Sequence, residues 1–196
     1  SYTVEATNPT TTCTRTMTNT QVITIDLLPT TFNVTGSGEY CIGDGGLAVG
    51  LDNSTTGIDY ELFKDGLTTS TIIGGDGNPL DFGAQLDGVY TIVATNTSTT
   101  CVNTMTGNAD IIENPLPVVT LNDATVCENE TYTLNAGAGF AAYAWSNSRT
   151  TQSFDTTVTN INTDIVIPFT VTVTDANNCQ NSASMNLNVD SLPLVT

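Results

Sequence analysis

Residues 2–18 read Y-T-V-E-A-T-N-P-T-T-T-C-T-R-T-M-T, and residues 90–106 read Y-T-I-V-A-T-N-T-S-T-T-C-V-N-T-M-T. The same offset of 88 residues continues to the Leu-Pro pairs at 28–29 and 116–117, with 14 of 28 aligned positions identical. A looser third copy, F-T-V-T-V-T-D-A-N-N-C, covers residues 169–179 and is followed by Leu192-Pro193. Self-similarity at a fixed offset indicates that one structural unit is repeated along the chain.

The Leu-Pro pairs mark the predicted domain boundaries, because proline does not continue a strand inside a sheet. They give the C-terminal strand pair of an incomplete domain at residues 1–29 and complete domains at residues 30–117 and 118–196. Two strands alone bury too little apolar surface to be stable. Residues 1–29 are therefore expected to need upstream sequence or another copy of the protein as a partner.

The composition predicts an all-β protein. The chain has 39 Thr, whose branched Cβ fits a pleated strand, while 20 Asn and 16 Gly supply turns. The predicted strands include Leu47 to Leu51, Val102 to Ile112, Thr131 to Asn135 and Ile165 to Thr174, and Gly and Asp-Gly clusters separate the strand-like stretches. About seven short strands in each repeat predict tandem immunoglobulin-like β-sandwiches in a linear array.

The charge balance excludes several functions. The 196 residues carry 20 acidic side chains, no His and a formal net charge of -17, and the only cations are Arg15, Lys64 and Arg149. Nucleic acids and anionic membranes need clustered Lys and Arg. Imidazole catalysis is absent, so no enzyme activity is predicted. No apolar run approaches the ~20 residues that span a bilayer, so membrane insertion is not expected.

The five cysteines follow the repeat. Cys13, Cys101 and Cys179 come just after the penultimate strand of successive units, and Cys41 and Cys127 come just before the second strand. Their spacing does not match a metal site, so disulfides in an oxidising compartment are predicted. The partner of Cys13 is expected upstream of residue 1.

Two disulfide pairings remain open. The simpler and preferred one stays within each domain, Cys41 with Cys101 and Cys127 with Cys179. In an ordinary sandwich these positions lie at opposite poles, whereas the Cα atoms of a disulfide lie within about 7 Å. In a head-to-tail array, Cys41 would instead reach Cys179 of the next domain.

The loop at residues 75–81, G-D-G-N-P-L-D, offers hard oxygen ligands for Ca²⁺ on Asp76, Asn78 and Asp81. Its spacing is not that of an EF-hand, and Asp and Asn are also common in plain turns. No metal or cofactor is therefore assigned, and calcium is kept as a weaker alternative.

Four aromatic residues are predicted to lie in the core. Trp145 is expected to anchor the second sandwich. Tyr2, Tyr90 and Phe169 occupy equivalent repeat positions and are expected to be buried like a tyrosine corner.

Two sets of motifs carry a family resemblance. Within residues 126–193, V-C-E-N-E-T-Y-T-L-N-A-G and F-T-V-T-V-T-D-A-N-N-C resemble the PKD-like and immunoglobulin-like repeats of very large secreted adhesins in Bacteroidota. Within residues 40–117, Y-C-I-G-D-G-G-L-A-V-G-L and G-I-D-Y-E-L-F-K-D-G are similar to a sister repeat class of the same proteins. The whole proteins are similar to gliding-motility adhesins exported by type IX secretion.

The resemblance implies a non-catalytic stalk or filament-forming segment at the bacterial cell surface or in a secreted appendage. Neighbouring repeats or copies of the protein would be its partners. It also implies O-glycosylation at Asp-Ser/Thr-apolar sites, for which Thr156 and Ser191 are the candidates. The alternative function is a module that binds surface glycans or a receptor through exposed aromatic side chains, with Tyr40, Tyr60 and Tyr143 as candidates.

Overall fold

A computed structural model describes residues 2–18 and 23–193 of the chain. These residues form seventeen strands and include no helix with the length and hydropathy to cross a lipid bilayer. In chain order the strands are β1 (Glu5–Thr7), β2 (Thr14–Thr16), β3 (Val34–Thr35), β4 (Gly38–Cys41), β5 (Leu47–Leu51), β6 (Ile58–Lys64), β7 (Leu67–Gly74), β8 (Leu80–Gln85), β9 (Gly88–Asn96), β10 (Val102–Thr104), β11 (Ala109–Asn114), β12 (Ala124–Cys127), β13 (Thr131–Asn135), β14 (Ala142–Trp145), β15 (Ser153–Thr157), β16 (Ile165–Thr174) and β17 (Gln180–Asp190).

Strands β3 to β11, the first strand set, form two sheets. One has the order β4-β11-β9-β6-β7, with β10 also pairing with β9, and the other has the order β3-β5-β8. In the first sheet, β10 and β11 pair antiparallel with β9, and β7 pairs antiparallel with β6, whereas β4 runs parallel to β11. A strand near the start of the set thus pairs with its last strand, and two such packed sheets fit an immunoglobulin-like sandwich.

Strands β12 to β17, the second strand set, repeat this arrangement with fewer strands. One sheet has the order β12-β17-β16-β14 and the other consists of β13 and β15. Here β12 runs parallel to the last strand, β17, as β4 does to β11 in the first strand set. The predicted all-β, immunoglobulin-like sandwich fold is confirmed. Each ladder between named strands stays within one of the three predicted segments, whose exact boundaries remain a prediction.

The chain divides into two compact units. The first unit contains the β6–β7 hairpin, which turns at Asp65-Gly66 with positive φ at both residues, as a tight hairpin requires. Tyr60, Leu62 and Ile92 of this unit are completely buried. The first unit comprises Ser1–Val34, Leu51–Leu80 and Thr91–Asn108, and the second comprises Thr35–Gly50, Asp81–Tyr90 and Ala109–Thr196.

Within the second unit, Trp145 joins an aromatic cluster between the two sheets of the second strand set. Its ring packs edge-to-face on Phe154 at 5.0 Å, and Phe154 packs on Phe169 at 6.0 Å. The Trp145 indole Nε1–H donates to the Thr151 carbonyl at 2.9 Å, so its polar atom is satisfied. Trp145 is 4% exposed, and its predicted core role is confirmed.

The tyrosine-corner prediction is right for two positions and wrong for one. Tyr90 is buried and its hydroxyl donates to the Leu86 carbonyl at 2.8 Å, and Phe169 is buried as well. Tyr2 is 66% exposed. It precedes the hairpin of β1 and β2, whose residues are all exposed and which pair only with each other among the described residues. A two-stranded ribbon has no second layer that covers Tyr2.

The Asp52 carboxylate accepts two hydrogen bonds from Asn33, the residue just before β3, and so holds the start of the first strand set in place. Its Oδ1 accepts from the Asn33 backbone N–H at 2.9 Å and its Oδ2 from the Asn33 side-chain amide at 2.7 Å. The Asp52 N–H donates back to the Asn33 carbonyl at 3.0 Å. The side-chain and backbone hydrogen bonds from Asn33 stabilise the carboxylate and hold the pKa of Asp52 below its ordinary value of 3.8.

Asp52→Asn is expected to lower the melting temperature at neutral pH more than Asp59→Asn, which removes an equal charge from an exposed position on β6. Because the pKa of Asp52 is lowered in the folded protein, its contribution is complete above 3.8 and is lost as the pH falls through the folded value. The difference between the two variants should therefore close below pH 3.8 in thermal unfolding followed by circular dichroism. A difference that is independent of pH would contradict this assignment.

Candidate functional site: the disulfide between Cys41 and Cys179

Cys41 lies at the end of β4, where the parallel ladder with β11 pairs it with Asn114. The next N–H, of Ile42, donates to the Asn114 carbonyl at 2.9 Å. The chain then turns at once, because the Asp44 N–H donates to the Cys41 carbonyl at 2.9 Å while the Asp44 carboxylate accepts from the Cys41 N–H at 3.3 Å. These bonds fix the backbone on both sides of the cysteine.

Cys179 lies in the short loop between β16 and β17 and is completely buried. Asp175 organises this loop. Its Oδ1 accepts from the N–H groups of Asn177 and Cys179, both at 2.9 Å, and its own N–H donates to the Cys179 carbonyl at 3.0 Å. Asn178 takes a positive φ of 65°, which Asn tolerates better than most residues. The loop therefore presents the sulfur of Cys179 from a fixed backbone.

The structure joins Cys41 to Cys179, with Cα atoms 5.5 Å apart, across a sequence separation of 138 residues. This distance is within the ordinary range for disulfides. In the chain-entropy model, closing a loop of this length stabilises the fold by about 5 kcal/mol. The bond ties the first strand set to the second strand set at one point within the second compact unit.

The preferred pairing within each domain is therefore wrong, and the alternative across the predicted boundary is the one found. Since each sulfur forms one disulfide, the observed bond excludes Cys41 with Cys101 and Cys127 with Cys179. The register explains why. Cys127 pairs with Asp190 at the end of β17, whereas Cys179 precedes its first residue, Gln180. The eleven residues of β17 separate the two cysteines by about 33 Å at ~3.3 Å per residue.

Amide hydrogen bonds accompany the disulfide. The Asn177 side-chain amide donates to Asn114 Oδ1 at 3.0 Å, and the Asn114 amide donates to Glu39 Oε2 at 2.9 Å. Asn114 is 9% exposed, so these bonds satisfy a nearly buried polar side chain. The Asn181 amide also donates to the Pro117 carbonyl at 2.9 Å. The site is therefore a covalent joint with polar surroundings.

Tyr40, next to Cys41, was expected to be an exposed binding residue and is instead buried, with 6% exposure. Its hydroxyl donates to Glu113 Oε1 at 2.9 Å and accepts from the Asp87 N–H at 3.2 Å. Burial raises the pKa of Tyr40 above its ordinary value of 10.0, and the nearby Glu113 and Asp87 carboxylates also raise it. The exposed-aromatic prediction is wrong here because β4 faces its tyrosine inward.

Of the other two candidate aromatics, Tyr60 is completely buried, and its hydroxyl accepts a hydrogen bond from the Thr55 N–H at 3.0 Å. The prediction that Tyr60 is exposed is therefore also wrong. Tyr143 is half-buried and donates to the Gly137 carbonyl at 2.9 Å. The structure thus does not bring the three predicted aromatics together at one surface.

The three calcium candidates take part in local hydrogen bonds, Asp76 and Asn78 in the loop after β7 and Asp81 on β8. Asp76 Oδ1 accepts from the Asn78 N–H at 2.9 Å, which with the Asn78 side chain lowers the pKa of Asp76 below 3.8. Ser54, which is buried, donates to the Asn78 carbonyl at 2.6 Å. Asp81 Oδ1 accepts from the Gly83 N–H at 2.7 Å. Among the described residues there is no group of three His, Cys, Asp or Glu able to hold a metal ion.

The remaining predicted positions lie apart from the joint. Thr156 is half-buried on β15, paired with Tyr132, and the Ser191 hydroxyl donates to Asp164 Oδ1 at 2.9 Å. Their O-glycosylation remains a prediction.

Three cysteines form no disulfide in the described part of the chain: Cys13 and Cys127 are exposed, and Cys101 is half-buried. The expectation that Cys13 bonds to upstream sequence likewise remains a prediction.

No protein-family model matches the chain, and no curated protein matches it. Solved structures with a similar fold include the I-band fragment I67–I69 of titin, at 15% identity over 85% of this chain and 67% of that chain, with a TM-score of 0.44. Fibronectin(III)-like modules of Clostridium thermocellum CbhA match at 10% identity over 84% and 98%, with a TM-score of 0.37. A Ca²⁺-stabilised adhesin that helps an Antarctic bacterium bind ice matches at 16% identity and a TM-score of 0.46. This chain is covered to 98% in that match and spans 57% of the adhesin structure.

Loss of the joint is expected to destabilise the protein. The double variant Cys41→Ser/Cys179→Ser should lose about 5 kcal/mol of unfolding free energy in guanidinium denaturation, the entropic contribution of the closed loop. Dithiothreitol should destabilise the native chain by a similar amount and leave the double variant unchanged. Cys127→Ser is the matched control and should keep the full response to dithiothreitol. Equal stability of the native chain with and without reductant would contradict a structural role for the bond.

For the calcium candidates, Asp76→Asn is expected to lower the melting temperature by the same amount in excess Ca²⁺ and in excess chelator. The physical reason is that the Asp76 carboxylate already accepts a hydrogen bond from the Asn78 N–H of its own loop. A stabilisation of the native chain by Ca²⁺ that Asp76→Asn abolishes would instead establish the calcium alternative.

Proposed function

We propose that this chain is a non-catalytic structural segment of an extracellular adhesive protein, in which consecutive immunoglobulin-like sandwiches are joined covalently. The observation that carries the proposal is the disulfide between Cys41 and Cys179, which links the two strand sets rather than closing either one. Disulfides persist in oxidising compartments, which supports an extracellular location. A link between successive units is what a segment needs if it transmits tension without separating at its junctions.

The surface chemistry agrees with a spacer. The net charge of -17 keeps like-charged segments soluble and apart. Exposed hydroxyl pairs line adjacent strands, such as Thr170 with Ser184 and Thr172 with Ser182, both at 2.8 Å. Hydroxyl groups of this kind form hydrogen bonds with water. They carry no charge, so they offer a partner protein no ion pairs.

The finer assignment rests on the sequence resemblance. We propose that the parent protein is a large Bacteroidota cell-surface adhesin of the gliding-motility type, exported by type IX secretion, in which this segment is part of a stalk or filament. Neighbouring repeats or copies of the same protein are its partners, and Thr156 and Ser191 are its glycosylation sites.

The location is tested on cells. Antibodies raised against the full chain should label intact, unpermeabilised cells of the source organism, and mild surface proteolysis should release peptides of this chain. Non-reducing peptide mapping of the released material should recover Cys41 linked to Cys179. Labelling that requires permeabilisation, or a reduced Cys41 in the native protein, would overturn the extracellular assignment.

A glycan array separates the spacer from a carbohydrate-binding module. The full chain is expected to bind no glycan, since two of the three candidate aromatics, Tyr40 and Tyr60, are buried. Binding that Tyr143→Ala abolishes, and that the alanine variant of an exposed residue elsewhere such as Leu67 leaves intact, would favour the binding module instead.

A further inference from the structure

Cys127 occupies the same structural position as Cys41. Cys41 ends β4 opposite Asn114, and Cys127 ends β12 opposite Asp190, in both cases at the last pair of a parallel ladder. The N–H of the following residue donates to the partner's carbonyl at 2.9 Å in the first case and 2.8 Å in the second. We refer to Cys41 and Cys127 as the strand-end cysteines.

Cys101 and Cys13 likewise occupy the position of Cys179. In each copy an Asn or Asp lies at the end of the preceding strand or directly after it, and this residue makes the same two hydrogen bonds in all three copies. Its N–H donates to the cysteine carbonyl at 2.9 to 3.0 Å, and its side-chain oxygen accepts, at 2.9 Å, from the N–H two residues further on. We refer to Cys13, Cys101 and Cys179 as the loop cysteines, and the closing residues are Asn8, Asn96 and Asp175.

The observed disulfide joins one member of each class, the strand-end cysteine of one strand set to the loop cysteine of the next. In this arrangement a strand-end cysteine pairs with the loop cysteine of a neighbouring repeat. Cys127 and Cys101 form no disulfide within the described residues, so each would find its partner on another repeat. We propose that Cys127 is a covalent linkage site that takes the loop cysteine of a further repeat of this kind. By the same rule Cys101 takes the strand-end cysteine of another such repeat. The repeats would then form a disulfide ladder with one bond per junction.

The polar groups beside the open cysteines complement one another as those of the joint do. Beside Cys41, Asn114 accepts a hydrogen bond from the Asn177 amide, two residues before Cys179. Beside Cys127 the corresponding residue is Asp190, whose side-chain oxygens are hydrogen-bond acceptors. Two residues before Cys101 is Thr99, whose hydroxyl is able to donate. The open loop cysteine therefore has a donor beside it and the open strand-end cysteine an acceptor, as at the observed joint.

Formation of the new bond needs an oxidant. We assign this role to a molecule that itself carries a disulfide, such as a dithiol oxidase in its oxidised form or glutathione disulfide. The Cys127 thiolate attacks one sulfur of the oxidant and displaces the other as a thiolate, giving a mixed disulfide. The thiolate of the loop cysteine then attacks the Cys127 sulfur and displaces the second oxidant sulfur. Two cysteine thiols are oxidised, the oxidant disulfide is reduced to two thiols, and the two cysteine protons end on those thiols.

The test extends the full chain in register. Because Leu192-Pro193 corresponds to Leu116-Pro117, a duplicate of residues 118–193 is appended directly after Pro193, which adds a second Cys127 and a second Cys179. The protein is refolded in a glutathione redox buffer and mapped by non-reducing mass spectrometry. We expect Cys127 to be linked to the appended loop cysteine, in addition to the original bond between Cys41 and Cys179. The thiol titre should stay at three even though the number of cysteines rises from five to seven.

Two variants of the extended chain control the result. Cys127→Ser should raise the thiol titre by one, to four, because it frees the appended loop cysteine, whereas Cys101→Ser should leave the new bond in place. A reduced Cys127 in molecules whose original bond is intact would overturn the proposal.

If the extension prevents the original bond, the pairing is measured between copies of the 196-residue chain instead. Disulfide-linked dimers should then join Cys127 to Cys101 or Cys13, and Cys127→Ser should abolish them. Dimers that join Cys127 to Cys127, or no dimers at all, would overturn the proposal.

The ladder deepens the proposed function, and it rests on that function only for the oxidising compartment. Whether the extended chain forms its second disulfide is measured with purified protein in buffer, so the result does not depend on where the native protein is located. Failure of the pairing and failure of the cell-surface assignment are therefore separate results.

Discussion

The parallel pairing of β4 with β11 and of β12 with β17 determines where the strand-end cysteines lie. A parallel neighbour ends at the same edge of the sheet, so β4 and β12 bring Cys41 and Cys127 to the edge where β11 and β17 finish. Of the loop cysteines, Cys179 directly precedes β17, and Cys101 lies before β10 and β11, so both come before the start of the last strand of their set. The observed bond joins one cysteine of each class, the strand-end cysteine Cys41 and the loop cysteine Cys179.

The local sequence identified strands well where side-chain pattern alone decides them. Leu47–Leu51, Thr131–Asn135 and Ile165–Thr174 are strands with the predicted bounds, because they combine β-branched residues with flanking turns. The repeat itself also located Tyr90 and Phe169 in equivalent buried positions. These features depend on residues that are close together in sequence.

The sequence was less informative where contacts between distant residues decide the structure. β4, with the sequence G-E-Y-C, has no β-branched residue, and only its ladder with β11, over seventy residues away, makes it a strand. β8 was missed because Gly77 and Pro79 indicated a loop, although Leu80 and Phe82 face inward. The stretch at residues 102–112 was predicted as one strand, yet it divides near Gly107, whose φ is 79°.

The same reasoning explains the result for the joint. The sequence located both classes of cysteine and supplied the correct pairing as an alternative, but the preferred pairing assumed that cysteines of one repeat lie close together. The length of β17 decides against that assumption, since strand length converts directly into distance. For the same reason Tyr40 was misjudged: a tyrosine beside a turn is usually exposed, and only the ladder to β11 turns it toward Glu113.

The relative size of the interactions at the joint indicates what holds it together. A neutral amide hydrogen bond, such as that from Asn177 to Asn114, contributes about 1 kcal/mol because water competes for both groups. The disulfide contributes several times more in the chain-entropy model and, unlike a hydrogen bond, does not open under moderate tension. The polar contacts therefore set the register in which Cys41 and Cys179 meet, and the covalent bond supplies the strength. A repeat protein built on this division of roles can vary its surface residues freely, provided that each junction keeps one strand-end cysteine and one loop cysteine.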